Sequence, residues 1–380
     1  MAGEINWNGF RTEFPATKEL LYLNSAAISP MSTRVRAAID EVNDLFVRKG
    51  ILAEEEVCTR VARIRESAGR LIGAAPGEIA FTRNTTHGVL LAANGIRWKA
   101  GDNVVMPSIE FPANVYPWMG LMREGVELRM VEPDEGVVTA EMLIDVCDRK
   151  TRAVTASLVQ FSTGHRIDCE ELGRFCRSRG IFLHVDAIQA LGALKIDVGR
   201  CGIDFLSCGG HKFMLATPGI GIFFCRSELL DEIDVAYPGW TGVVDSRDFL
   251  NYDPTWRGDA ARFEEGSSNF QGIYGLGASI DRFLEIGPEK TEERIMFLTG
   301  SLAEGLEKRG YTVTSPFGEG ERSGIICFTH PRIKSADMHG RLAARSVACS
   351  LREGAVRLSP HIYNVEEDIE RFFEKLEACS

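Results

Sequence analysis

The sequence lacks the features that mark membrane, secreted and nucleic-acid-binding proteins. It has no apolar run of about 18 residues, the length that a membrane-spanning helix needs. Residues 1–6 have neither the basic start nor the apolar stretch of a signal peptide. There is no basic tract, and 43 Lys and Arg against 54 Asp and Glu give a net charge of −11. Nucleic acid and anionic membrane attract positive charge, so neither is expected as a main partner.

The sequence also lacks closely spaced cysteine pairs and the glycine-rich motifs that bind nucleotide phosphates. The ten cysteines are scattered and none forms a CxxC pair, which predicts neither a metal cluster nor a disulfide framework. Free thiols fit a reducing cytoplasm. No P-loop and no GxGxxG occurs, since 219–221 lacks the third glycine and runs into a β-type segment. A nucleotide cofactor is therefore not expected.

The chain of 380 residues exceeds one ordinary core, so two domains are expected. Its first part alternates apolar β-type runs with helical patterns, which is typical of an α/β fold with a mainly parallel sheet covered by helices. After about residue 265, amphipathic helices and a short β-type run at 324–328 predict a smaller α+β domain. The predicted strands are 78–81, 103–106, 126–131, 153–159, 181–185, 205–207 and 221–224.

Lys212 and Asp186 are the most informative residues. Asp186 closes the apolar strand 181–185, and Lys212 follows the next predicted strand after Gly209-Gly210-His211. Strand ends on one edge of a parallel sheet would bring the two together. An enzyme that holds pyridoxal phosphate (PLP) needs this pair, a lysine to form an imine and a carboxylate to keep the ring nitrogen protonated. Alone, a strand-end lysine more often points to solvent, and such an aspartate is more often a helix cap.

Other residues supply the remaining needs of PLP. Thr85 and Thr86 open a helix and would donate to a phosphate, although threonine there is also an ordinary cap. Phe111 would stack on the ring, with a core phenylalanine as the alternative. Gln189 would reach the phenolic oxygen, with a surface glutamine as the equal alternative. His184 beside Asp186 resembles part of a metal site, but no third ligand is evident and no metal is expected.

Taken together, these segments resemble the class V aminotransferase family of fold-type I PLP enzymes, which includes cysteine desulfurases and kynureninases. The resemblance runs over nearly the whole chain and is specific only in combination. It is carried by Leu21-Tyr22-Leu23-Asn24-Ser25-Ala26-Ala27, Thr85-Thr86-His87-Gly88, Asp186-Ala187-Ile188-Gln189, Gly210-His211-Lys212, Arg262-Phe263-Glu264-Glu265-Gly266-Ser267 and Val356-Arg357-Leu358-Ser359-Pro360-His361-Ile362-Tyr363-Asn364.

The resemblance implies a homodimer with its active site at the subunit interface. Ser267 would reach the partner's phosphate, and Arg357 would clamp the substrate carboxylate with its planar fork. His211 would lie beside the cofactor, Thr163 would contact the cofactor, and Ala26 would contact the substrate. The implied division is an N-terminal segment (1–20) packed on the small domain, a large PLP-binding domain (21–265) and a small C-terminal domain (266–380).

Departures from the family pattern bear on the subfamily. Cysteine desulfurases place a histidine over the ring, where this chain has Phe111, and carry a nucleophilic cysteine before the carboxylate-binding arginine. Here 351–355 fills that space without one, and the nearest, Cys349, lies in a β-type run. Phe111-Pro112 and 159–164 look more like kynureninase, which however has a tyrosine where His211 stands. The chain matches neither specialised branch.

The implied mechanism begins when an amino acid displaces Lys212 from its Schiff base. The freed amine then removes the Cα proton to give a quinonoid, supported by Asp186. Later steps would give transamination, β-elimination or epimerisation, and the sequence leaves these open. We favour an aminotransferase-like or β-lyase enzyme acting on a small amino acid, with a cysteine desulfurase-like enzyme or an epimerase as alternatives. A non-catalytic PLP-binding protein is less expected, because the candidate catalytic residues are intact.

Overall fold

The computed structural model describes residues 5–379. Its strands are β1 (Leu21–Tyr22), β2 (Ile79–Thr82), β3 (Asn103–Pro107), β4 (Glu127–Val131), β5 (Thr151–Ser157), β6 (Phe182–Asp186), β7 (Phe205–Gly209), β8 (Gly221–Cys225), β9 (Thr312–Val313), β10 (Ile326–Thr329), β11 (Val347–Ala348), β12 (Ser350–Arg352) and β13 (Ala355–Leu358). Its α-helices are α1 (Trp7–Arg11), α2 (Thr33–Lys49), α3 (Glu54–Ile72), α4 (Thr85–Gly95), α5 (Tyr116–Met119), α6 (Ala140–Val146), α7 (Cys169–Arg179), α8 (Phe270–Ile286), α9 (Pro288–Lys308), α10 (Ser335–Ala343) and α11 (Glu366–Glu377). None of these helices is both long and apolar enough to cross a bilayer.

A seven-stranded sheet forms the centre of the molecule, in the order β2-β8-β7-β6-β5-β3-β4. Strands β3 to β7 are mutually parallel, while β8 runs antiparallel to both of its neighbours. The α/β fold with a mainly parallel sheet, predicted from the apolar runs, is confirmed. The predicted strands lie within about two residues of those observed, as expected for bounds read from sequence.

The burial of the strands explains why their sequences read as apolar runs. Every residue of β2, β3, β6, β7 and β8 is buried, because helices cover both faces of the sheet. Strand β4 lies at one edge, and its polar residues Glu127 and Arg129 are not buried. The polar residues inside buried strands therefore stand out as exceptions that need a physical reason.

A second, antiparallel sheet has the order β12-β13-β10-β9. Residues of α9, α10 and α11 share an apolar core with it, which includes Leu298, Phe328 and Phe372. Strand β1 pairs in parallel with β11, and Arg11 forms an ion pair with Asp368 at the start of α11. Residues near both ends of the described chain thus pack on the smaller sheet. The division at 1–20, 21–265 and 266–380 stays a prediction.

The carboxyl ends of β6 and β7 lie side by side. Asp186, the last residue of β6, pairs in register with Ser207 of β7, and Lys212 follows three residues after β7 ends. Helix α4 packs closely on this edge. A Cβ on its Gly88 would come within 2.6 Å of Ser207 Oγ, so only glycine allows this approach.

Candidate active site

A cavity of about 400 Å³ opens at the carboxyl edge of β6 and β7. All of the predicted site residues line it except Thr163 and Ser267. Side chains from both sheets, from the start of α4 and from the segment after β1 meet here. The lining residues are Ala26, Ala27, Ile28, Asn84, Thr85, Thr86, Phe111, Ala113, Phe161, Asp186, Ile188, Gln189, His211, Lys212, Arg352 and Arg357.

The Lys212 side chain is buried in this cavity rather than pointing to solvent. The residue is 8 % exposed, and its Nζ lies 5.2 Å from the ring centre of Phe111. Its backbone is held by Ser29, whose hydroxyl donates to the Lys212 carbonyl at 2.7 Å. Burial lowers the pKa of Lys212 to about 8, and nearby Asp186 opposes this shift. The neutral, nucleophilic amine is therefore far more populated near neutral pH than that of an ordinary lysine.

Asp186 serves both the fold and the cavity. Its Oδ1 accepts a hydrogen bond from Ile188 N at 2.9 Å and so stabilises a turn; no helix of residues 5–379 starts here, so the alternative of a helix cap is wrong. Its Oδ2 is buried and has no hydrogen-bond partner among residues 5–379. Burial raises the pKa of Asp186 to about 6, with the Ile188 N–H and Lys212 acting in the opposite direction. A cationic N–H placed in the cavity would satisfy the remaining oxygen.

The first turn of α4 faces the cavity with donor groups. Asn84 caps the helix by accepting from His87 N at 2.9 Å, while the backbone N–H groups of Thr85 and Thr86 lie in the turn that has no intrahelical acceptors. Thr85 Oγ1 also accepts from Gly209 N at 2.9 Å, which ties the helix to β7. These donors form an anion-binding helix start. The contact with Gly209, three residues before Lys212 in the chain, brings this helix start close to the lysine.

Gln189 and Ala26 contact each other on another wall. Gln189 Nε2 donates to the Ala26 carbonyl at 3.1 Å, and Gln189 Oε1 is buried without a partner in the described part of the chain. Ala26 N donates to Ser359 Oγ at 2.8 Å, which fixes the segment after β1 against the smaller sheet. His211 also lines the cavity, and burial lowers the pKa of its imidazole.

Arg357 is an almost fully buried guanidinium that forms no ion pair with a carboxylate of residues 5–379. It is 1 % exposed, its Nη1 donates to the Phe161 carbonyl at 2.6 Å, and its Nε has no partner among the described residues. Burial lowers the pKa of Arg357 to about 10, and the charge of Arg352 adds to this effect. Arg352 itself was missed from the sequence. Only its place in 351–355, the segment before Arg357 that was considered for a nucleophilic cysteine, could have drawn attention to it.

Glu110 is a second residue without a predicted role. It is buried, and its two oxygens accept from Ser157 N at 2.6 Å and from Ser157 Oγ at 2.5 Å. Burial raises the pKa of Glu110 to about 7, with Asp186 adding to the rise. The acid thus anchors the segment that carries Phe111 to the end of β5. In the sequence, the available signal for Glu110 was a single acidic residue directly before the apolar pair Phe111-Pro112.

His184 belongs to a hydrogen-bond network under the cavity. Its Nε2 lies 2.9 Å from Ser207 Oγ and its Nδ1 lies 2.9 Å from Thr155 Oγ1. Burial lowers the pKa of His184 to about 3, so the ring is neutral. Both nitrogens are engaged by hydroxyls. Within residues 5–379, no three His, Cys, Asp or Glu side chains gather as metal ligands.

Two predicted residues lie outside the cavity. Thr163 Oγ1 accepts from His165 N at 3.2 Å, and the Thr163 carbonyl accepts from Ser315 Oγ at 2.6 Å. Ser267 is exposed and lines a neighbouring cavity of about 410 Å³, together with His87. The role of Ser267 depends on a second subunit and stays a prediction, as does that of Thr163.

The cysteines are all within the described residues, and none of them lines the cavity. Cys349, the nearest in sequence to Arg357, is buried, and burial raises the pKa of its thiol to about 12. Cys208 lies below Lys212 with its Sγ near the Ala187 carbonyl, and burial also raises its pKa. These thiols are inert in this environment, because only the thiolate is a strong nucleophile.

Known proteins resemble the chain along its whole length. The family model described as Aminotransferase class-V matches residues 21–372. A probable cysteine desulfurase of Methanothermobacter thermautotrophicus is 31% identical, over 97% of this chain and 96% of that protein. The apo structure of a cysteine desulfurase from Thermococcus onnurineus NA1 has a TM-score of 0.89 and 26% identity, covering 100% of this chain and 99% of that one. A C-DES variant with glycine covalently linked to its PLP cofactor shares the fold, with a TM-score of 0.89, 22% identity and 96% and 98% coverage.

Proposed function

Because the chain belongs to the aminotransferase class-V family, we propose that it is a PLP-dependent enzyme that cleaves a C–S bond of a small α-amino acid by β-elimination. The observation that carries the proposal is the placement of Lys212 and Asp186 in one cavity. The lysine is buried with a lowered pKa, and the aspartate is buried with one oxygen unsatisfied. This pairing is what a PLP enzyme needs, and it is costly for a protein without a ligand there.

The cavity residues fit PLP group by group. Lys212 would hold the cofactor's aldehyde carbon through its amine, and Asp186 Oδ2 would accept from the protonated ring nitrogen. Phe111 would lie against the ring, and Thr85 and Thr86 would donate to the phosphate. When bound, PLP supplies an electron sink that stabilises the negative charge left at Cα after its proton is removed.

The remaining residues would hold the substrate. Arg357 would bind its α-carboxylate, which supplies the counter-ion that the guanidinium lacks among residues 5–379. Gln189 would hydrogen-bond the cofactor's phenolic oxygen, and His211 would flank the ring. Once displaced, Lys212 would remove the Cα proton, a role for which a pKa of about 8 is well placed.

The fate of sulfur follows from the lack of a thiol in the cavity. Relatives are named cysteine desulfurases, yet none of this chain's cysteines lines the cavity to accept sulfur. We therefore propose that the β-sulfur leaves with its bonding electrons, as a thiol or sulfide. Water then hydrolyses the remaining three-carbon enamine to pyruvate and ammonium, so one amino acid and one water give one sulfur product, one pyruvate and one ammonium.

A homodimer in the cytoplasm is part of the proposal. Large apolar side chains are exposed next to Ser267, and Trp240 and Phe249 share a cavity of about 690 Å³ with it. A second copy would cover them, which fits the usual meaning of such patches. All ten cysteines are free thiols, as in a reducing compartment. Light scattering of the purified protein should give the mass of two chains, and a monomer at micromolar concentration would contradict this part.

The test begins with purified protein reconstituted with PLP and reduced with borohydride. We expect a visible absorbance band, loss of that band on reduction, and covalent PLP on Lys212 by peptide mass spectrometry. Lys212→Ala should carry no covalent PLP. Lys195→Ala is the matched control, because Lys195 is 48 % exposed and pairs with Glu289. No PLP adduct in the wild type would contradict the proposal.

The second step assigns the reaction. The holoenzyme is incubated with L-cysteine and L-cystine, and pyruvate, ammonium and released sulfur are measured. Pyruvate in equal amount to the sulfur product supports β-elimination. Alanine together with a persulfide on the enzyme would mean desulfuration, a keto acid that retains sulfur would mean transamination, and racemised substrate would mean epimerisation. Each of these three outcomes contradicts the lyase proposal while leaving PLP dependence intact.

A further inference from the structure

Two arginines line the cavity, and the proposed mechanism uses only one of them. Arg357 is assigned to the substrate α-carboxylate. Arg352 is partly buried at the end of β12, next to the turn that leads to β13, and has no role in that mechanism. Its charge bears on both neighbours, because it lowers the pKa of Arg357 and, more weakly, that of Lys212.

Arg352 does not stabilise the fold through an ion pair. Among residues 5–379 no carboxylate lies within ion-pair distance of it, and its only hydrogen bond is from Nη1 to the carbonyl of the preceding Leu351, at 2.8 Å. Other partly buried arginines of the chain do have such partners, as Arg166 has in Glu292 at 2.7 Å. A partly buried arginine next to two other basic side chains, Lys212 and Arg357, is well placed to attract an anion from outside the chain.

The hairpin places both arginines on one face. Ser350 pairs directly with Arg357, and Arg352 pairs with Ala355, so the two arginines are diagonal neighbours across the antiparallel strands. Cβ atoms in that relation lie about 7–8 Å apart. Glu353 and Gly354 form the turn, both with positive φ (41° and 79°), as a tight two-residue hairpin requires. The spacing is thus set by the backbone of a rigid element.

We propose that Arg352 is a specificity residue that binds a second anionic group of the substrate, so that the enzyme acts on α-amino acids whose side chains carry a negative charge. The inference rests on the proposed function, since Arg357 must hold the α-carboxylate. Two planar guanidinium forks on one face match two carboxylates of one molecule. The second anionic group is either a short acidic group carried on the β-sulfur, for which L-aspartate is an analogue that cannot be cleaved, or the carboxylate on the far half of a disulfide such as cystine.

The test compares ligands that differ only in the second negative charge. L-Aspartate is paired with L-asparagine for the short side chain, and L-cystine is paired with the mixed disulfide of L-cysteine and cysteamine, which lacks only the far carboxylate. Binding to the dimeric holoenzyme is measured by the change in the cofactor's absorbance within the first turnover, so that affinity is obtained separately from the steady-state rate. The variants are Arg352→Gln, Arg352→Lys and the control Arg332→Gln, whose side chain is exposed on the loop after β10.

We expect the wild type to bind the charged member of one pair more tightly, and Arg352→Gln to weaken that member by about 10- to 100-fold. The neutral member should change by less than about threefold, because Arg357 still holds the α-carboxylate. Arg352→Lys should retain part of the preference, since it keeps the charge and loses the fork. Arg332→Gln should behave as the wild type. The pair that shows the preference identifies the source of the second anionic group.

Three results would overturn the inference. The first is a wild type without preference in either pair. The second is an equal loss for charged and neutral ligands in Arg352→Gln, which would mean a structural role. In both cases amino acids still bind, so the proposed function stands. The third is a PLP-loaded protein whose spectrum responds to no amino acid, which would remove the proposed function and this inference together.

Discussion

Arg294 and Arg357 are both buried arginines, at 6 % and 1 % exposure, but the fold treats them differently. Arg294, on α9, donates to both oxygens of Glu366 at 2.6 and 3.0 Å and to the Asn364 carbonyl at 2.9 Å. Within the described part of the chain, the guanidinium of Arg357, in the cavity, donates only to the carbonyl of Phe161. A buried guanidinium without a counter-ion is unfavourable by several kcal/mol unless a ligand supplies the charge. The unpaired arginine therefore marks the ligand site, and the paired one joins two helices.

The buried carboxylates show the same contrast. Asp204 accepts from Leu183 N and from Arg226 Nε, each at 2.9 Å, and so uses both oxygens within the protein. Asp186 uses one oxygen and leaves the other without a partner among the described residues. Burial raises the pKa of both groups, so burial alone does not distinguish them. The distinction lies in whether the protein completes their hydrogen bonding.

The largest expected effect comes from Lys212→Ala, which removes the amine that is proposed to act as the general base. We expect kcat to fall by about 10⁴-fold or more, since both proton transfer and covalent attachment of the cofactor are lost. The melting temperature without PLP should stay the same or rise, because a desolvated amine is gone. Steady-state kinetics measures kcat, and calorimetry measures the melting temperature. A lowered melting temperature would mean that Lys212 also stabilises the fold.

Exchanging each carboxylate for its amide separates the cavity from the fold. Asp186→Asn should lower kcat by about 100-fold or more, because the ring nitrogen loses its anionic partner. Asp204→Asn should instead lower the free energy of unfolding by about 1–3 kcal/mol through the weakened contact with Arg226, with kcat nearly unchanged. Chemical denaturation and kinetics on both variants give the comparison. Equal effects on stability would remove the distinction between the two sites.

The two arginines give a smaller pair of opposite effects. Arg357→Gln should raise KM by about 100-fold without loss of stability, since a bidentate contact with substrate is removed together with an unpaired buried charge. Arg294→Gln should lower the free energy of unfolding by about 1–3 kcal/mol, a modest figure because Glu366 is 55 % exposed. KM should then stay within about twofold of the wild type. Destabilisation by Arg357→Gln alone would contradict the comparison.

The smallest expected effect concerns how the rate of cofactor capture depends on pH. Burial lowers the pKa of Lys212 from 10.5 to about 8, so its neutral fraction increases as pH rises through that value. The rate at which protein free of PLP captures the cofactor should therefore rise between about pH 7 and 9 and then level off. Stopped-flow absorbance at several pH values measures this. A rate that still increases tenfold per pH unit at pH 10 would mean an ordinary lysine.

Much of the site was predictable because its key pair depends on local patterns. Apolar runs buried on both faces predicted β6 and β7, and parallel neighbours bring Asp186 and the segment with Lys212 to one edge. The helix start at Thr85 was likewise predicted from the two threonines, although the residue that caps the helix is Asn84. The role proposed for Arg352 was not predictable in this way, because it rests on the lack of an ion-pair partner among residues 5–379. Glu110 was missed because its contact with Ser157 joins segments far apart in the chain.

The order of strands and helices, and hence the edge at which polar residues collect, follows from hydrophobic periodicity, which is a local property of the chain. The charge state and availability of those residues do not. Desolvation and counter-ions come from side chains that are distant in sequence, and they alone distinguish Arg357 from Arg294 and Asp186 from Asp204. Only the packed molecule decides which buried charges are completed by the protein and which are left for a ligand.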